Sequence, residues 1–177
     1  MNTPFFRTLL AEEFESWYQG QCLIRDLLPG MAVNVTFPPF RKALEDMSQA
    51  FAGQEEPTRR LLTSLAPTSG GDNSNASLRT AVEEMRTLIQ RNSRLDPSRI
   101  DARLLSLLRK AGHLQMASLK SLLLFAHMLE AGDKEDLLGI FLAQEIARDQ
   151  ILSDLAPSLL QWNAAETMEE GKKALKS

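Results

Sequence analysis

The sequence predicts an all-α protein, an up-and-down four-helix bundle with one additional short helix between the second and third long helices. Three observations predict it. Apolar residues recur at alternating steps of three and four almost throughout, whereas the period-two alternation of strands is almost absent. The periodic stretches are long and most connections between them short, which is what a bundle requires. The chain has 177 residues, 44% of them hydrophobic and 24% charged, enough for one domain with its own core.

Thr3-Pro4 supplies an N-cap and first-turn pair, and the helix it opens, α1, runs to about Pro29–Met31. Its stripe is Leu10, Phe14, Trp17, Gln21, Ile24, Leu28 and Met31. The turn T-F-P-P (Thr36 to Pro39) starts α2, with the stripe Phe40, Leu44, Met47, Phe51, Gln54, Thr58, Leu61 and Leu65. The stretch A-P-T-S-G-G-D-N-S-N-A, residues 66–76, has the composition of a flexible loop. A short helix, α3, follows from about Ser77 to Arg91, carrying Leu78, Val82, Met85 and Ile89. Asp96 with Pro97 caps α4, which is leucine-rich and ends near Ala131-Gly132. Its stripe is Leu104, Leu108, Ala111, Gln115, Ser118, Leu122, Phe125 and Leu129. Asp133 caps α5, expected to end near Ala156-Pro157, with Leu138, Phe141, Glu145, Leu152 and Leu155 on its apolar face. The expected layout is one domain, residues 1–160, and a polar tail, residues 161–177, without a docking face.

The bulk numbers exclude several function classes. A net charge of −3 implies no nucleic-acid partner. A single cysteine, Cys22, rules out an intramolecular disulfide and a cysteine-rich zinc site, and fits the cytoplasm. Acidic residues arrive too early for a signal peptide, and the longest leucine-rich run carries Lys120 and His127, so no membrane span is expected. No G-x-S-x-G, H-E-x-x-H or phosphate-cradling glycine loop is present. The basic residues Arg59, Arg60, Arg99, Arg103, Arg109, Lys110 and Lys120 are interspersed with acids and read as solvated helix faces.

The informative feature is polar. Each long helix carries a polar residue mid-way along its apolar face: Gln21, Gln54, Gln115 and Glu145. In a bundle, mid-helix positions fall at similar heights, so the four can meet in one layer. The alternative is that each is the stray polar residue that any long helix carries near its seam. Bundles that hold two metal ions place carboxylates and histidines at this level, and three glutamines with one glutamate supply too little negative charge for that. Amides can instead satisfy one another.

Three ordered segments carry a resemblance. They are L-L-P-G-M-A-V-N-V-T-F-P-P-F-R-K-A-L (Leu27 to Leu44), A-G-H-L-Q-M-A (Ala111 to Ala117) and A-Q-E-I-A-R-D-Q-I-L-S-D-L-A (Ala143 to Ala156). They resemble, in order, segments of the YciE/YciF family of ferritin-like bacterial stress proteins. The resemblance covers about Leu9 to Ala156. It implies a ferritin-like bundle, commonly dimeric, with a di-iron or di-manganese site. At the implied ligand positions this sequence has Gln21 on α1, Gly53 and Pro57 on α2, and Gly112 and Gln115 on α4. His113 is retained, and Glu145 and Asp149 match acidic positions on α5. Most of the carboxylates are therefore replaced. Pro57 also removes a backbone hydrogen bond and crowds the carbonyl of Gly53, at about 3 kcal/mol, which predicts a kink or split in α2.

The first functional reading is a non-enzymatic ferritin-like bundle with a structural or protein-binding role connected to stress, without a cofactor and expected to be a homodimer. The second is a metal protein whose reduced site, drawn from His113, Gln115, Glu145 and Asp149, binds iron or manganese and acts on oxygen or peroxide. The third is a helical adaptor or inhibitor of a protein partner. His113 lies off the α4 seam and reads as a surface or inter-subunit residue. Glu145 and Asp149 read as paired with Arg148 or with a neighbouring helix.

Overall fold

The computed structural model describes residues 3–65, 75–90 and 97–174. Five helices follow one another: α1 Thr3–Asn34, α2 Pro38–Leu65, α3 Ala76–Gln90, α4 Pro97–Met128 and α5 Gly132–Ala174. Among the described residues there is no strand. Most of the expected loop at 66–76 and the Asp96 cap lie outside the described residues. Asn75 caps α3, its Oδ1 accepting from the amides of Ser77 at 2.9 Å and Leu78 at 3.2 Å.

Three helices depart from expectation, each for a packing reason. α1 does not stop at Pro29 but continues to Asn34, because Met31, Ala32 and Val35 are buried while Pro29 is exposed. α2 is not split at Gly53 and Pro57: both face solvent, where water can serve the carbonyl that the proline leaves unbonded. α5 passes Pro157 and runs to Ala174 rather than ending near Ala156-Pro157. Leu159 is buried, and the Trp162 ring lies 5.8 Å from that of Phe37, so the stretch from Leu159 to Trp162 packs at the α1–α2 corner.

The core is divided in two. One cluster joins the last turns of α1 (Ile24 to Val35), the first half of α2 (Phe37 to Phe51), α3, the first half of α4 (Ile100 to Ala111) and the late part of α5 (Leu152, Leu159). The other joins the start of α1 (Leu10, Phe14, Trp17), the end of α2 (Leu61), the end of α4 (Leu119, Leu122, Ala126) and the start of α5 (Leu138, Phe141). This membership gives the directions. α2 and α4 both run opposite to α1, and α5 runs with it. The α2–α4 connection, which includes α3, therefore crosses the length of the bundle, the single long crossover of ferritin-like folds, so α2 and α4 run parallel where strict up-and-down alternation would oppose them.

Asp101, fully buried, fastens α4 to the α1–α2 turn. Its carboxylate accepts from the Phe37 amide at 2.7 Å, the Thr36 amide at 2.9 Å and the Thr36 hydroxyl at 2.9 Å. Burial pushes its pKa up, and the Phe37 and Thr36 donors and Arg41 pull it back.

Candidate functional site

Between the two apolar clusters lies a band where each long helix shows polar side chains. The interval on α1 is Tyr18 to Leu23, on α2 Ala52 to Arg60, on α4 Gly112 to Ser118, and on α5 Leu142 to Ile151. Gln21, Gln115, Glu145 and Arg148 are all buried there. The sequence places Arg148 on the α5 stripe, three residues beyond Glu145 and four before Leu152, so its inward position follows from helical spacing.

Glu145 is the centre of the band. Its Oε1 accepts from Gln21 Nε2 at 2.6 Å and from Arg148 Nη2 at 2.7 Å. Burial raises its pKa, opposed by the charge of Arg148 and the hydrogen bonds from Gln21 and Arg148. Arg148 reaches α2 as well. Its Nη1 lies 3.4 Å from Gln54 Oε1 and its central carbon 4.6 Å from the centroid of the Phe51 ring. Gln54 in turn donates to Gln144. Gln115 takes another partner, the carbonyl of Trp17 at 3.4 Å. It does so against Gly20, where a Cβ would meet the Gln115 amide and the tip of Leu78 and force both side chains to shift. Of the four sequence-predicted layer residues, Gln21 and Glu145 bond directly, Gln54 joins through Arg148, and Gln115 bonds to the backbone nearby.

Asp149 belongs to a separate, more open cluster. Arg109 Nε donates to its Oδ1 at 2.9 Å, and His113 Nε2 lies 3.2 Å from its Oδ2. The Arg109 hydrogen bond, helped by His113 and opposed by partial burial, holds the Asp149 pKa below the usual carboxylate range. His113 is more than half exposed. His113, Gln115, Glu145 and Asp149 are thus shared among three sets of contacts. Among the described residues no group of three or more His, Cys, Asp or Glu side chains is arranged to hold a metal ion.

Residues 6–165 match the family described as a domain of unknown function, DUF892. The chain belongs to the DUF892 family. No curated protein matches it. Among solved structures, the crystal structure of the E. coli stress protein YciF is similar at a TM-score of 0.73, with 22% identity over 89% of this chain and 96% of that one. That likeness gives this DUF892 chain a ferritin-like helical bundle, in agreement with the resemblance carried by the three sequence segments. No helix among its described residues is long and apolar enough to cross a membrane.

Proposed function

We propose that this chain is a non-enzymatic ferritin-like bundle, cytoplasmic and free of cofactor, with a structural or protein-binding role connected to stress. The first candidate partner is a second copy of the chain. One observation carries the reading: the polar band has one central carboxylate, Glu145, already engaged by Gln21 and Arg148. A pair of divalent cations in such a bundle is held by carboxylates and histidines from all four helices, because anionic ligands must replace water and offset charge. The side chains around Glu145 are amides and a guanidinium. Of the buried side-chain atoms here without a partner among the described residues, Trp17 Nε1 and Arg148 Nε are N–H donors that repel a cation. Gln21 Oε1 alone offers a lone pair. That donor set does not fit a dinuclear metal centre.

Access argues the same way. The free volumes lined by Gln21, Gln54, Glu145 and Arg148 are about 20 Å³ each, room for one water, and the larger grooves of about 330 and 480 Å³ open beside His113 and Lys110 without being lined by Glu145 or Arg148. Sites for small organic ligands begin at roughly 300 Å³. The rival reading, a reduced iron or manganese site from His113, Gln115, Glu145 and Asp149, has weaker support: Asp149 is already neutralised by Arg109, and Gln115 bonds elsewhere.

Metal analysis of protein purified without chelator tests the reading, together with an assay for peroxide consumption. The expected result is far less than one iron or manganese per chain and no turnover. One or two metal equivalents that survive gel filtration would overturn it.

A further inference from the structure

We infer that Arg148 is a built-in cation, and that the polar band is a guanidinium site filled from within the chain. Its guanidinium supplies the charge and the helix-to-helix link that a metal ion gives to a carboxylate-lined bundle. The inference rests on the proposed function and deepens it.

The contacts around Arg148 are those that recognise a planar cation. A carboxylate oxygen stands 2.7 Å from Nη2, an amide oxygen 3.4 Å from Nη1, and an aromatic face 4.6 Å below the central carbon. A charge-assisted hydrogen bond, a dipole and a ring quadrupole each favour such a group, and its flat shape lets it meet all three at once. They come from different helices. Gln54 and Phe51 are on α2, Glu145 is on α5, and Gln21 of α1 fixes the same Glu145 oxygen at 2.6 Å. Arg148 and Glu145 are only 7% and 5% exposed, so bulk water competes little for either charge. The pair also sits where the two apolar clusters part.

Removing the guanidinium while keeping Glu145 therefore leaves a buried carboxylate beside a space of guanidinium shape. Ethylguanidinium matches what Arg148→Ala deletes. The Arg148→Ala variant is expected to melt about 10 °C below the wild type, because a buried charge has lost its partner. Millimolar ethylguanidinium should raise its midpoint by several degrees and leave the wild type unmoved. Ethylammonium, with the same charge and no plane, should restore less. The double variant R148A/E145Q, with no charge left to answer, should be more stable than R148A and should not respond. An unresponsive R148A, or an R148A/E145Q no more stable than R148A, overturns the inference.

If R148A does not fold, the comparison moves to R148M, which keeps most of the volume. R148M/E145Q must then exceed R148M in melting temperature, and equality overturns the inference. Wild-type protein melted with and without millimolar Mn²⁺ separates this test from that of the proposed function. A rise in the wild-type midpoint counts against the metal-free reading. A metal-indifferent wild type with an unresponsive R148A counts against the role of Arg148 alone.

Discussion

Gln21 donates to a buried carboxylate, whereas Gln115 donates to a main-chain carbonyl, so replacing each by leucine has different consequences. Gln21→Leu takes one of two donors from Glu145 and is expected to cost about 2 kcal/mol in urea unfolding. Gln115→Leu loses one long hydrogen bond to a carbonyl and gains apolar contact. Its expected effect is under about 1 kcal/mol in either direction. Equal effects would mean that the Gln21–Glu145 bond contributes nothing specific. The sequence shows both glutamines on apolar stripes and cannot tell them apart, because the difference lies in what the opposing helix presents. Arg148 was legible as a counter-charge for Glu145, but its residue type masks the inward position that its spacing gives. Arginine reads as a surface residue by default, and only the continuous spacing Phe141, Glu145, Arg148, Leu152 marks it as inward-facing.

At the scale of the helices, composition announces starts better than stops. Thr3-Pro4 and Pro97 stand at the beginnings of α1 and α4, as their chemistry predicts. α1 and α5 end beyond the stops that Pro29 and Pro157 signal, because the packing of Met31 and Leu159 outweighs a local signal. The turn after α4 closes with Glu130 at φ 53°, and the Ala131 amide bonds the Ala126 carbonyl at 3.0 Å, a cap usually given to glycine. Asp101 lies three residues before Leu104, in line with the α4 stripe, but sequence alone does not say that it meets a turn 65 residues earlier. Asp101→Ala strips two amides and a hydroxyl of their acceptor and is expected to cost about 3 kcal/mol by chemical denaturation. The crystal structure of that variant should show the 34–38 turn displaced. A loss below about 1 kcal/mol would reduce Asp101 to a bystander.

For the whole molecule, buried charge sets the response to pH. The pKa of Glu145 is raised in the folded state, so between its ordinary value and the raised one the folded protein binds more protons than the unfolded chain. Stability from this group is present at the acidic side of that window and lost as pH rises through it. Asp149 behaves oppositely, its contribution falling away only in stronger acid. The stability of wild type minus that of Glu145→Gln, from urea titrations, should therefore be greater at mildly acidic pH than at neutrality. A pH-independent difference would show that Glu145 titrates normally. The bundle was readable from periodicity, since five stripes and their caps suffice for five helices. The direction of α4 was not: up-and-down alternation would run it with α1, and the packing of Ile100 to Ala111 beside Ile24 to Val35 sets it opposite, which the length of the α2–α4 link permits.

The division of the core by a charged band has a mechanical corollary. Were α5 to slide by one turn, about 5.4 Å, against α1, Glu145 and Arg148 would come to rest among hydrocarbon side chains. An apolar seam of uniform character would oppose such a slip only weakly, whereas stranding an ion pair in it costs several kcal/mol. The band is thus a notch on an otherwise smooth rail, and it sets how far along one another the four rods may sit.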